Sequence, residues 1–181
     1  ADIAAATILP SKVNFSDDSQ LRIAFDGDAD RIGVIDEKGN YLSTLEVFTI
    51  IAHHLIKGRN QRGAIACTIT MSSMVDKLSE KYGIDVHRTP VGFKYVGPKM
   101  LETNAMIGGE ESGGYAFRGS IPERDGILSG LMVVEMIAKS GKRISELLDS
   151  LITKVGPHHY NRWDIEFDES QRTSVTKRLN A

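Results

Sequence analysis

The sequence predicts an α/β fold in which a mostly parallel sheet is covered by helices on both faces. Three observations lead there. Short apolar runs alternate with stretches of helical period between residues 63 and 117. The run from Gly63 to Ile69 is almost continuously apolar, as a strand buried on both faces requires. A glycine-rich loop, Gly108 to Gly114, directly follows a strand-like run, and open α/β sheets gather ligands beyond the carboxyl ends of their strands.

Residues 1–20 are weakly patterned, with Pro10 and a polar stretch from Ser16 to Gln20. Leu21 to Phe25 and Ile32 to Ile35 are expected as short strands flanking an acidic loop. Glu37 to Asn40 is a turn. Ser43 and Glu46 have capping-box spacing and start a helix. Leu45, Phe48, Ala52 and Leu55 form its apolar stripe, and Gly58 ends it. Residues 63–69 follow as the buried strand. Residues 73–82 form a helix with Met74, Leu78 and Tyr82 on one face. Ile84 to Arg88 is a strand, residues 93–102 a shorter helix, and Ala105 to Gly108 a further strand. Tyr115 to Phe117 closes the series. Asp125 is placed to cap a long helix reaching Lys139, with Ile127, Leu131, Val134 and Ala138 expected to face inward. Residues 143–153 form another helix that groups Ile144, Leu147, Leu148 and Leu151. Gly156-Pro157 looks like a linker, and the segment beyond it, with Trp163 at a domain seam, like the start of another domain.

Composition narrows the function. A net charge of −2 speaks against a nucleic-acid or membrane-surface partner. No apolar run approaches the roughly 20 residues of a membrane span, and the first residues lack a basic stretch followed by an apolar one. The single cysteine, Cys67, fits a reducing cytoplasm and is expected to be a buried strand residue rather than a nucleophile. His53 and His54 lack partners at ligand spacing and are expected to be structural or on the surface; His158 and His159 fall in the linker. The chain opens without methionine and stops without a closing element, as an excised interior piece would.

The most informative run is Asp26-Gly27-Asp28-Ala29-Asp30-Arg31. Carboxylates this close repel one another unless a cation neutralises them, and Mg²⁺ favours such hard oxygen donors. Arg31 beside the ligands is sensible if a phosphate completes the coordination. Two other readings stand beside this one. The run could be a solvated acidic turn. It could also be an EF-hand calcium loop, since Asp26, Asp28 and Asp30 match positions 1, 3 and 5 and Glu37 falls at position 12. Against the calcium loop, Arg31 occupies the position that needs glycine, and the run is entered from a strand. A second constellation is Gly109-Glu110-Glu111-Ser112-Gly113-Gly114. Here a carboxylate and a hydroxyl two residues apart suit sugar hydroxyls, and the glycines let backbone come close.

In this order the motifs resemble those of the α-D-phosphohexomutases, the phosphoglucomutase and phosphomannomutase superfamily. Residues 26–31 look like its metal loop, Thr89-Pro90-Val91-Gly92-Phe93-Lys94 like its mid-domain turn, and residues 109–113 like its sugar-binding loop. Glu123-Arg124-Asp125-Gly126 looks like the start of the following helix. The resemblance spans about residues 20 to 167. It implies the third, three-layer αβα domain of four, with a mostly parallel mixed sheet, at residues 43–155. Residues 1–42 would end domain two and residues 156–181 begin domain four. It implies Mg²⁺ on Asp26, Asp28 and Asp30, and Arg31 against phosphate or sugar. Glu110 and Ser112 would hold two sugar hydroxyls, with Gly92, Lys94 and Arg124 also at the substrate. A solvated role for Lys94 remains open. The implied activity interconverts a hexose 1-phosphate and 6-phosphate through a phosphoserine and a bisphosphate such as glucose 1,6-bisphosphate.

Two family motifs are absent. No serine is followed by histidine, as in the phosphoserine loop, and no Arg-x-Ser-Gly-Thr phosphate loop occurs. The segment alone is therefore expected to be inactive and to need the missing domains of its parent chain. Val91 stands where glucose-type members often have threonine. Gly114 stands where mannose- and glucosamine-type members often have histidine; with Glu111 and Arg124 this tilts the expectation toward glucose phosphates, with phosphomannomutase and phosphoglucosamine mutase as alternatives.

Overall fold

The computed structural model describes residues 21–159, 166 and 168–179. Pro10, the polar stretch Ser16 to Gln20 and Trp163 lie outside the described residues.

The described residues open on an antiparallel sheet of β1 (Arg22–Phe25), β2 (Ile32–Ile35) and β3 (Tyr41–Leu42), in that spatial order. Arg22 lies opposite Ile35 and Phe25 opposite Ile32, so the acidic run forms the connection between β1 and β2. At the other end of β2, the buried Asp36 carboxylate accepts from the backbone N–H of Lys38 (2.9 Å) and Asn40 (2.8 Å) and from Asn40 Nδ2 (3.0 Å). This Asx-type turn directs β3 back along β2.

The main domain follows as α1 (Thr44–Lys57), β4 (Ile65–Thr68), α2 (Met74–Tyr82), β5 (Val86–Thr89), α3 (Phe93–Thr103), β6 (Ile107–Gly109) and β7 (Tyr115–Phe117). It closes with α4 (Gly126–Ser140) and α5 (Ile144–Val155). Its sheet runs β5-β4-β6-β7, with parallel pairing of β4 to β5 and β6 and antiparallel pairing of β6 to β7. The side chains alternate across it. Ile65, Cys67, Ile107, Tyr115 and Phe117 join the larger apolar cluster with α1, α2, α4 and α5. Ala64, Ala66 and Ala116 turn the other way, onto Phe93, Val96 and Met100 of α3. The result is three layers, helices on each side of a mixed sheet, as the sequence leads one to expect. A 3₁₀ turn (Glu169–Gln171) and α6 (Arg172–Leu179) follow further on. Among the described residues no helix is long and apolar enough to cross a membrane.

The capping box of α1 forms as its spacing requires. Ser43 N–H donates to Glu46 Oε2 (2.8 Å) and Glu46 N–H to Ser43 Oγ (3.2 Å). Its stripe is buried, and so is most of the rest of the helix, including Val47, Ile50, Ile51 and Ile56. Cys67 is fully buried, and burial pushes its thiol up to about 11, so it is a packing residue.

The inward face expected for α4 is wrong. Ile127, Leu131 and Val134 are 59%, 60% and 48% exposed, and Ala138 is exposed as well. The helix instead turns Gly126, Ser129, Gly130, Met132, Val133 and Met136 inward. The reason is proximity. A Cβ on Gly126 would stand 2.5 Å from Ala29 O, and one on Gly130 3.4 Å from the Phe25 ring. The backbone of α4 packs so near β1 and the acidic loop that only its small-residue face fits there.

The helix α1 histidines are structural. His54 is buried with Nε2 3.2 Å from Glu135 Oε1, and Glu135 also holds Arg59 and, at 2.7 Å, Lys139. His53 Nε2 lies 3.2 Å from the Tyr82 hydroxyl. Burial, helped by Lys154 and Lys57, pulls His53 down to about 4 from 6.5. Between those values the unfolded chain carries a proton that the folded one lacks. Stability contributed by the neutral ring is therefore present above pH 6.5 and lost as the pH falls toward 4. The urea midpoint is expected to drop across that window, and to drop less in His53→Gln; equal drops would refute the assignment.

Candidate functional site

Gly92 and Glu110 follow the carboxyl ends of the parallel strands β5 and β6, and they meet there. Gly92 N–H donates to Glu110 Oε1 at 3.0 Å. The loop from Glu110 to Gly114 is a tight turn: Gly113 N–H donates to Glu110 O and Glu110 N–H to Gly114 O, both at 3.1 Å. Glu110 is only 6% exposed. Burial raises its pKa, and Arg124 and the Gly92 N–H work against that rise. Ser112 Oγ is buried without a hydrogen-bond partner, a hydroxyl with its bonding capacity unspent.

The acidic loop is folded on itself. Ala29 takes φ +57°, a left-handed conformation that costs an L-residue about 1–2 kcal/mol. Two backbone bonds hold it, Ala29 N–H to Asp26 O and Gly126 N–H to Ala29 O, each 3.1 Å. One oxygen from each of Asp26, Asp28 and Asp30 lies within 4.8 Å of the others. Arg31 is tied into this group. Its N–H reaches Asp26 Oδ1 (3.2 Å), and its Nε stands 3.0 Å from Asp26 Oδ2 and 3.2 Å from Asp30 Oδ1. Asp28 is exposed, and neither Arg31 nor Arg124 pairs with it. The pKa of Asp30 is raised, first by burial, while Arg124 lowers it and Asp26 and Asp28 raise it further. The arginines thus leave the trio short of positive charge. Oxygen donors of this number, spacing and sign fit a hard divalent cation.

Backbone pairing and one side chain put the loops at one place. Backbone joins them: Arg31 bridges Gly114 and Ile32 N–H donates to Gly113 O (3.1 Å). Arg124 spans them, with Nε 2.9 Å from Asp30 Oδ2 and Nη1 3.7 Å from Glu110 Oε2. Its guanidinium lies 5.9 Å from the Phe93 ring centre, and its aliphatic arm crosses Gly114 so closely that any Cβ there would collide with it. The next residue, Asp125, donates its N–H to Tyr115 O (2.9 Å) and caps α4 through Leu128 N–H (2.8 Å).

The structure therefore brings together Asp26, Asp28, Asp30, Arg31, Gly92, Glu110 and Arg124. Lys94 is exposed in the first turn of α3, its ammonium 5.1 Å from the Tyr95 ring centre, and touches none of the carboxylates of either loop. The residues that sequence reasoning missed are the braces. Thr44 Oγ1 donates to Glu111 O and the buried Tyr115 hydroxyl to Thr44 O, both at 2.5 Å. Partners some seventy positions apart leave no local signal. His158 and His159 line a cavity of about 450 Å³ whose other walls mix serines and Thr70 with Leu45, Met71 and Met74.

The acidic run does not close into an EF-hand calcium loop. Glu37, which would close an EF-hand, stands beyond the far end of β2, and its carboxylate accepts from Ser145 Oγ at 2.5 Å. A strand intervenes where the twelve-residue loop would have to curl back.

A mixed sheet covered by helices on both faces, with charged, glycine-rich loops after its parallel strands, is an αβα domain with its candidate site where such sheets gather ligands. The family model for phosphoglucomutase/phosphomannomutase, alpha/beta/alpha domain III, matches residues 45–155. A phosphoglucomutase/phosphomannomutase of Thermococcus kodakarensis is 40% identical over 157 residues, 87% of this chain and 33% of its own. A phosphoglucosamine mutase of Acetivibrio thermocellus is 37% identical over 130 residues, 71% of this chain and 29% of its own. The crystal structure of a phosphoglucomutase/phosphomannomutase family protein from Burkholderia thailandensis superimposes with a TM-score of 0.66 at 26% identity, covering 75% of this chain and 29% of that one. The chain belongs to the phosphoglucomutase/phosphomannomutase family, and it spans about a third of the length of the curated relatives it matches.

Proposed function

We propose that this chain supplies the metal loop and the sugar-hydroxyl loop of a Mg²⁺-dependent phosphohexomutase that interconverts hexose 1-phosphates and 6-phosphates. The observation that carries the reading is Arg124, which faces Asp30 and Glu110 at once. A cation on the trio and a sugar at Glu110 would then share one site. Asp26, Asp28 and Asp30 would hold Mg²⁺, which when bound neutralises charge on a transferring phosphoryl group. Arg31 would face the phosphate. Glu110 and the unpartnered Ser112 hydroxyl would grip two sugar hydroxyls, with Gly92 fixing the Glu110 carboxylate and Lys94 at the rim. Phosphoryl transfer asks chiefly for such positioning and charge balance. The phosphoserine and the main phosphate clamp would come from the rest of a longer enzyme. In it, residues 1–42 would end a second domain, 43–155 form the third and 156–181 begin the fourth. A glucose phosphate, passing through glucose 1,6-bisphosphate, is the favoured substrate, because Gly114 leaves the room in which Arg124 lies.

The test is calorimetric titration of the chain with Mg²⁺, then with glucose 1,6-bisphosphate in its presence. Asp28 is exposed and pairs with neither Arg31 nor Arg124, so Asp28→Asn removes a ligand without loosening the fold. It is expected to weaken Mg²⁺ by about tenfold or more and to abolish the Mg²⁺-dependent part of sugar bisphosphate binding. Unaltered titrations in the variant would end the proposal.

A further inference from the structure

We infer that Arg124 acts as a displaceable internal cation, competing with the metal for Asp30 and thereby coupling metal binding to anion binding at the sugar loop. The inference rests on the metal reading above and adds a regulatory link within the same site.

The two arginines of the site are held differently. Arg31 cannot leave, because its own backbone N–H bonds Asp26 and its residue pairs with Gly114. Arg124 meets Asp30 and Glu110 through its side chain alone; its backbone N–H donates to Glu123 Oε1 (3.0 Å), an oxygen that also lies 3.5 Å from its Nε. Its Nε is buried and 2.9 Å from Asp30 Oδ2, yet it makes no aligned hydrogen bond. The contact is thus one of charge without direction, the kind most easily given up. Its other end already points toward Glu110, 3.7 Å away. A divalent ion on the trio draws on the same Asp30 carboxylate and repels a guanidinium at that distance. Arg124 would then leave Asp30 and pivot on the arm that lies over Gly114. Its charge would turn toward the sugar loop, where a phosphate ester could accept it. Metal occupancy would strengthen anion binding and, by linkage, anion binding would strengthen metal occupancy.

The experiment titrates the full chain with Mn²⁺, read by electron paramagnetic resonance of the free ion, with and without inorganic phosphate. Four forms are compared: wild type, Asp28→Asn, Arg124→Gln and Gly114→Ala. Arg124→Gln is expected to bind Mn²⁺ roughly tenfold more tightly than wild type, within the usual span of coupling between sites. Phosphate should tighten Mn²⁺ in the wild type and do nothing in Arg124→Gln. Gly114→Ala, whose methyl collides with the Arg124 arm, should also tighten Mn²⁺ while keeping the guanidinium. Thermal unfolding of each form confirms that it is folded. Unchanged or weaker Mn²⁺ binding in both Arg124→Gln and Gly114→Ala, with Asp28→Asn still losing it, overturns the inference and leaves the metal reading standing. Failure of every form to bind Mn²⁺ overturns both.

Discussion

Phe48→Ala is expected to destabilise the chain by about 3–5 kcal/mol, the usual range for deleting a fully buried aromatic ring. Phe48 has no exposed surface and sits where α1 meets the sheet. Its ring centre lies 5.4 Å from that of Tyr115 at a 56° tilt, a favourable aromatic pairing. It also lies against Gly109, so tightly that a Cβ there would overlap its edge. Nothing nearby is free to collapse into the space, because β6 is pinned between β4 and β7. The transition midpoint in urea should fall with the slope unchanged. A loss below about 1 kcal/mol would mean that the core relaxes there far more than its packing implies. Glu110 follows β6 immediately, so the same variant should raise amide exchange at Glu110.

Gly113→Val is expected to have the second largest effect, about 2–4 kcal/mol, and a more local consequence. Gly113 has φ +92°, where a side chain is strained by about 1–2 kcal/mol. Its Cβ would also stand 2.7 Å from Ile32 O and 2.9 Å from Thr44 Cγ2, and overpacking of this kind adds about 1–3 kcal/mol. The first obstacle is backbone, so the loops must part and the Ile32 N–H to Gly113 O bond must break. Gly83→Val provides the comparison. Gly83 is also left-handed, at φ +63°, but has nothing within 4 Å of its Cβ position. Faster exchange of the Ile32 amide in Gly113→Val, and not in Gly83→Val, would separate the collision from the strain. Equal exchange in the two would show that the loops do not depend on this approach.

The element pattern was legible because the buried strand at Ile65–Thr68 and the stripe of α1 are local signals. The α4 face was not. That helix carries two candidate faces, a bulky one at Ile127, Leu131 and Val134 and a small one at Gly126, Ser129 and Gly130. Periodicity favours the bulky face, and only the nearness of Ala29 and Phe25 decides for the other. Strand β3 escaped for a similar reason. Two residues give no period, and the Asp36 turn that places them depends on buried side-chain bonds. At the site, the residue types were readable from composition and spacing, because three carboxylates in five positions are conspicuous. Their relation to Glu110 was not, since it runs through backbone pairing between residues about eighty positions apart.

The fastenings of this site are largely main-chain: Ile32 to Gly113, Gly126 to Ala29, Asp125 to Tyr115. Peptide groups make such bonds whatever side chain they carry. Mutation can therefore exchange the groups that meet a ligand while the frame around them keeps its shape. A protein built this way can alter what it meets at the site without first becoming unstable.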